Sequence, residues 1–389
     1  MEMKKLLTSV LCAFMLFLNC SSVLAVEFDQ SNIDNAYTKI CNYYKERKSL
    51  RSLDEIIAVE ALGMEAENGY TLPDIDGYVL RDDVSIGDLS KGIIVYTLLG
   101  KNPKDINGIN LIEKLESYVK NDGSLQIGSY PETSNTQVWA LYALETVNSN
   151  KVESVANYLL GQKVGDNDSF AFGFGGDFTS ADVTGWCVEA LTLANKKQEV
   201  LPAVSYLQNN ERYGDNGEWG YSWGEDEYPN STSQACVLMG LLTYDKNKVL
   251  SGEYNYNDIN PLDILADSQN TDGTYWNDQY IDYETFDTVR ALGTYKNGSV
   301  ILKAQSAYQD ILKNQEENKT PTPPKQPTNT KPNTSTETNK TQKPTSTNKT
   351  VNAKVVETSD NNNIIPYLLI LVLSTGLLVI NKKKNEEND

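Results

Sequence analysis

Two glycine-rich segments hold the residues best suited to chemistry. FAFGFGGDF at 170–178 and GEWGYSWGEDEYP at 217–229 place Phe170, Phe172, Phe174, Phe178, Trp219, Tyr221, Trp223 and Tyr228 beside Asp177, Glu225, Asp226 and Glu227. Aromatic faces next to carboxylates suit sugars, flat macrocycles or cations. Two carboxylates roughly 5–9 Å apart also hydrolyse glycosides. Asp182 with Asp177 or Glu225 is the candidate pair for that chemistry. The chain contains no histidine, which excludes Ser-His-Asp and Cys-His catalysis and any zinc site built on imidazole. Asp166-Asn167-Asp168 and Asp215-Asn216 lack the spaced ligand set of a calcium loop and read as turns. No metal and no cofactor are predicted.

These segments belong to a repeat. One cassette recurs four times between 108 and 296: an apolar helix, a loop with glycine and an aromatic, then a second apolar helix. The second helices stack as NTQVWALYAL at 135–144, DVTGWCVEAL at 182–191, TSQACVLMGL at 232–241 and YETFDTVRAL at 283–292. Their starts differ by 47, 50 and 51 residues. A period near fifty with two helices per unit signals a helical array, because one pair alone leaves its apolar face uncovered. The pattern continues upstream, where AVEAL at 58–62 and LSKGIIVYTLLG at 89–100 resemble the later copies. Second helices are predicted near 54–64, 88–100, 135–147, 182–195, 232–244 and 284–296. First helices are predicted near 109–120, 152–163, 199–210 and 260–270, with a last one near 299–315. The second helices are apolar nearly all round, as buried helices are. The expected fold is therefore all-α, six helix pairs closing into an inner and an outer ring.

The two ends differ from this body. Residues 1–25 read as a secretory signal, with Lys4 and Lys5 before LLTSVLCAFMLFL and a small residue at the cut site. The segment 318–363 is rich in Thr, Pro, Asn and Lys and reads as a disordered stalk. Residues 364–380 are apolar enough to cross a hydrocarbon core of about 30 Å. The lysines at 382–384 in the tail 381–389 favour the cytoplasmic side. VVETS at 355–359 is a degraded sorting-like sequence. The folded part is then 26–317, held outside the plasma membrane by a C-terminal helix. The whole chain carries −19; segments 1–25, 316–363 and 364–389 carry +1, +2 and 0, leaving −22 on 26–315. Nucleic acid and anionic membrane surfaces are poor partners for such a body. Cys41, Cys187 and Cys236 fall on apolar helical faces and read as unpaired core residues.

AVSYLQNNERYGDNGEWGY at 203–221 resembles the QW repeat of the squalene cyclase and prenyltransferase superfamily, through Gln208, Gly214, Gly217 and Trp219. Gln269, Gly273 and Trp276 give a second copy, Gln162 with Phe170 or Phe172 a third, and VKNDGSL at 119–125 the weakest. The resemblance spans about 33–315 and implies an α/α toroid in which these Gln and Trp residues staple neighbouring helices. The branches of that superfamily differ in chemistry. Squalene-type cyclases use Asp-x-Asp-Asp, prenyltransferases a zinc held by Asp, Cys and His, and complement-like thioester domains Cys-Gly-Glu-Gln; none of these occurs here. Transcobalamin-like members bind a corrinoid without chemistry, aided by a second domain for which this chain leaves no room before the stalk.

In a ring of this kind the second helices start at one mouth. Asp54, Glu55, Asp88, Asn135, Gln137, Asp182, Thr184, Thr232, Gln234 and Thr285 fall near those starts. Such residues either cap free N–H groups or form a polar rim. Trp139 and Trp186, with Tyr96 and Tyr142, are placed to line the wall. The predicted ligand residues are Trp139, Trp186, Gln137, Phe174, Trp223 and Tyr228. The expected activity is binding of a small molecule or glycan at the mouth, with a cyclase-like enzyme or carboxylate-pair glycosidase as the alternative.

Overall fold

The computed structural model describes residues 28–175, 178–223, 225–275 and 283–319. The predicted signal, most of the stalk and the predicted membrane helix at 364–380 lie outside them. Among the described residues no helix is long and apolar enough to cross a membrane.

Fourteen helices are described: α1 (Ser31–Glu46), α2 (Leu53–Ala61), α3 (Ala66–Gly69), α4 (Ile75–Val79), α5 (Ile86–Leu98), α6 (Leu111–Ser117), α7 (Ser134–Thr146), α8 (Val152–Gly161), α9 (Ala181–Leu193), α10 (Leu201–Asn209), α11 (Ser231–Leu250, broken at Asp245), α12 (Pro261–Asp267), α13 (Tyr283–Asn297) and α14 (Val300–Lys319). Six of them, α2, α5, α7, α9, α11 and α13, pack each on the next, and α13 returns to α2. The inner layer is thus a closed ring. Helices α1, α6, α8, α10 and α12 lie against it, and the short α4 packs on α5. Helix α7 buries eleven of its thirteen residues, so it needs cover on every side.

Closure depends on bare backbone. A Cβ on Gly185 of α9 would lie 2.4 Å from the Cys236 carbonyl of α11, and one on Gly293 of α13 would lie 2.6 Å from the Ala61 backbone of α2. The seam is also hydrogen-bonded: Asn297 Nδ2 donates to Ala61 O (2.9 Å), and Tyr295 OH and Lys296 Nζ both reach Asp34 of α1.

The inner helices start earlier than the sequence predicts, and that frees their acids. Ser52, Ser85, Ser180 and Asn230 are the caps, their side-chain oxygens accepting from the N–H of Glu55, Asp88, Val183 and Ser233. Each such cap contributes about 1 kcal/mol. Asp54 and Asp182 stand inside the first turn rather than at the cap. Small antiparallel hairpins lead into three of the starts: β1 (Gln126–Ile127) with β2 (Tyr130–Pro131), β3 (Val164–Asp166) with β4 (Ser169–Ala171), and β5 (Arg212–Tyr213), β6 (Glu218–Trp223) and β7 (Asp226–Pro229) in that order.

The last helix corrects the expected pairing. Helix α14 is not an outer helix; it packs on the inner helices α5, α7 and α2. It meets their C-terminal ends: Lys303 Nζ donates to Glu60 O (3.0 Å) and Gln305 Nε2 to Glu145 O (3.2 Å). Val300, Ile301, Ala304 and Tyr308 are buried beneath it. Terminal carbonyls lack intrahelical partners, so donors arriving there satisfy them, and the lysine charge suits the dipole.

Gly185→Val inserts a branched side chain where the α9 and α11 backbones touch. It is expected to lower the unfolding free energy by about 3 kcal/mol, read as a drop in the urea midpoint, whereas Gly161→Val, whose Cβ meets nothing within 4 Å, is expected to leave that midpoint within 1 kcal/mol of the parent.

Candidate functional site

Stacking the four cassettes explains the interior of the ring. Column three holds Gln137, Thr184 and Gln234. Each accepts from the backbone of the preceding loop: Gln137 Oε1 from Leu125 N–H (3.2 Å), Thr184 Oγ1 from Phe172 N–H (2.9 Å) and Gln234 Oε1 from Trp219 N–H (3.1 Å). Glu55 does the same for Arg51 N–H (2.6 Å). Gln137 is fully buried, and its amide also donates to Glu132 O. Its role is to tie a loop to a helix, which corrects the expectation that it contacts ligand. The resemblance-derived staples behave alike. Trp219 is buried with its Nε1 donating to Leu207 O, Gln208 donates to Glu253 O, and Gln269 donates to Ala36 O.

Column five holds Trp139, Trp186, Cys236 and Asp287; column eight, one turn deeper, holds Tyr142, Glu189, Met239 and Arg290. These two columns meet at the ring centre. Arg290 is almost fully buried and lies 3.5 Å from both Glu189 and Asp287. Its guanidinium stands 5.0 Å from the Trp139 ring centre and 5.8 Å from that of Tyr142. Glu189 accepts from Tyr142 OH (2.8 Å) and from Ser299 Oγ (2.7 Å), the latter at the start of α14. Burial opposes the charge on Arg290, but Glu189, Tyr142 and Asp287 outweigh it and hold the guanidinium charged. This network forms the floor.

Above it the ring is partly open. Lys91 of α5 pairs with Asp54 of α2 (2.7 Å) and stands 4.7 Å from the centre of the Trp139 ring. Asp287 is 15 % exposed. Burial pushes its carboxyl up to about 7; Arg290 pulls it down, Asp54 and Asp182 push it further up, and Lys91 pulls it down. Asp182 is raised by burial despite a hydrogen bond from Ser233. Next to it Glu211 is raised by burial, eased by Thr179 and Tyr206 and raised again by Asp182. Tyr206 OH donates to Glu211 Oε1 (3.0 Å), and Glu211 sits at φ 58°, in the left-handed region. Trp186 is half-buried, and its indole Nε1 has no hydrogen-bond partner among the described residues. The mouth therefore offers the half-buried ring of Trp186 and the carboxyl groups of Asp54, Asp182 and Asp287, whereas Trp139 is buried with Lys91 and Arg290 over its ring, and the Trp186 Nε1 atom is itself buried.

The other predicted residues stand further out. Phe174 is exposed in the loop before α9, and Tyr228 stacks on Tyr221 with ring centres 5.0 Å apart. Glu225 is exposed at the tip of the β6–β7 hairpin, where Trp223 pairs in register with Asp226. Asp177 lies outside the described residues. Tyr96 does not line the mouth; its hydroxyl donates to Asp76 on α4. The sequence reading missed Lys91, Glu189, Glu211, Asp287 and Arg290. Columns five and eight were the available signal for Asp287, Glu189 and Arg290, since charged and aromatic residues share them while small or apolar residues dominate the flanking columns.

A separate cleft of 870 Å³ lies at the opposite end, between the last turns of α2 and α5 and the start of α14. Its Glu60 is already satisfied by Lys303 Nζ (2.6 Å) and Ala66 N–H (2.7 Å). The strongly displaced, partly exposed carboxyl of Asp287 is at the mouth, so the candidate site is placed there.

No protein-family model and no curated protein matches the sequence. Among solved structures the chain resembles one titled a polysaccharide lyase, at 11 % identity and a TM-score of 0.44, covering 74 % of this chain and 98 % of that one.

Asp287 gives a pH signature. The native state keeps its proton up to about pH 7, whereas the unfolded chain has released it by about pH 4. Stability from this group is full below the unfolded value and is lost as pH rises through about 7. Asp287→Asn removes that slope and flattens the curve by up to about 4 kcal/mol at about 1.36 kcal/mol per unit. Thermal melts of both proteins between pH 4 and 8 measure it. Glu145, also pushed up to about 7 by burial, cancels in the difference, and parallel curves would remove Asp287 from the account.

Proposed function

We propose that the chain is an α/α toroid of the kind the squalene-cyclase repeat builds, and that its mouth binds a carbohydrate. One observation carries the binding reading. Trp139 and Trp186 occupy the same column on neighbouring inner helices, Trp186 partly exposed and Trp139 buried behind it, with Asp54, Asp182 and Asp287 around them. Sugars present apolar faces for indoles and hydroxyls for carboxylates, so a pocket of this composition suits them. The Gln and Trp staples support the toroid. The signal-like 1–25, the stalk at 318–363 and the apolar 364–380 support presentation outside the plasma membrane.

Trp186→Ala is expected to weaken glycan binding at least tenfold in calorimetric titration. Trp186→Phe keeps an aromatic face and loses only a buried N–H, so it should retain most of the affinity that Trp186→Ala removes. Corrinoids and isoprenoid alcohols serve as competing probes. Melting temperatures unmoved by any oligosaccharide, with a clear shift from a corrinoid or an isoprenoid, would replace the carbohydrate reading.

A second reading, glycoside hydrolysis, is favoured by Asp287 alone. A carboxyl that keeps its proton to about pH 7 is suited to act as a general acid. Asp182, rather than Glu225, is the acid that shares its surroundings. If turnover exists, Asp287→Asn should abolish it, and the wild-type rate should fall as pH rises through about 7. Reducing-end release that survives this substitution would reject Asp287 as the acid.

A further inference from the structure

Large apolar side chains stand in solvent at the mouth. Tyr130 and Phe178 are 82 % and 83 % exposed, and Phe174, Tyr221 and Tyr228 are also exposed. All five lie in the segments leading into α7, α9 and α11, three successive inner helices. The same segments are one-sided in charge. Residues 125–135, 166–182 and 217–230 contain nine acids and no lysine or arginine. Within the mouth, Asp54 pairs with Lys91, Asp287 keeps its proton to about pH 7, and Glu189 and Arg290 are paired in the floor beneath, so the negative charge lies on the surrounding segments. Exposed aromatics in one region mark an interaction surface. Their continuity with the mouth points to a ligand longer than one sugar. The surplus of acids on these three segments selects a ligand with positive charge, which aromatic faces also favour.

We propose that these aromatics are outer subsites for a glycan chain bearing free amines, whose inner unit lies against the exposed part of Trp186 at the mouth. This rests on the carbohydrate reading above. Flat rings on three hairpins hold successive sugars by stacking, and the acids between them pair with the amines. Polyuronates meet like charge at the same positions and are repelled.

The test titrates the full chain at pH 6, where the amines are charged, with four probes: the β-1,4-linked glucosamine dimer and hexamer, the N-acetylated hexamer, and hexagalacturonate. The glucosamine hexamer is expected to bind at least tenfold more tightly than the dimer, than the N-acetylated hexamer and than hexagalacturonate. The double variant Tyr130→Ala/Phe178→Ala, on exposed positions, should erase the hexamer's advantage and leave dimer binding and melting temperature unchanged. Equal loss for dimer and hexamer, or hexagalacturonate binding as tightly as the amine hexamer, would overturn the outer subsites while leaving the mouth in place. If dimer and hexamer both survive Trp186→Ala, the mouth reading itself fails. Absence of binding by all four probes would overturn both.

Discussion

The structure depends on burying helices that have no polar face. Helix α7 and its five counterparts cannot each turn one side to water, so each must be covered by a neighbour on both flanks and by an outer layer behind. An open row would leave two uncovered ends. Bringing α13 against α2 removes both ends at once, and the approach is close enough that glycine is required at the seam. The same condition at Gly185 sets the α9–α11 spacing. Every later feature, from the floor network to the mouth, is located by that closure.

The polar residues inside the ring follow from it. In a ring of inward-facing helices, side chains one turn apart on each helix converge on the axis. Columns five and eight supply them here. The deeper column gathers Arg290, Glu189 and Tyr142: Glu189 accepts from Tyr142 and Ser299 and pairs with Arg290, whose Nε and Nη1 have no hydrogen-bond partner among the described residues. Mutual pairing is what makes buried charge tolerable in such a place. The shallower column keeps carboxyl and indole groups less completely matched, as Asp287 and the Trp186 N–H show. Glu189, matched on both oxygens, holds the architecture, and Asp287 is the carboxyl left partly exposed at the mouth.

Much of this was written in the sequence. The fifty-residue period located four inner helices, and the likeness of AVEAL at 58–62 and LSKGIIVYTLLG at 89–100 to them located the other two. The Gln and Trp staples were legible because their partners are backbone groups, present whatever the neighbouring residue is. Three things were not legible. Helix starts were placed one or two residues late, because Asp54 and Asp182 are as good capping types as Ser52 and Ser180 and only geometry separates them. Helix α14 looked like another outer helix, because its apolar spacing does not say which surface it covers. Arg290 was overlooked because its partner Glu189 lies 101 residues away in sequence, and Asp287 because an i,i+3 pair with Arg290 looks like an ordinary exposed helix pair.

Helix α14 has a consequence for traffic. Because it lies across one end of the ring and the Arg290–Glu189 network fills the centre, the interior is a blind alley rather than a tunnel. Among the described residues, whatever enters this interior from the mouth must leave by the same side.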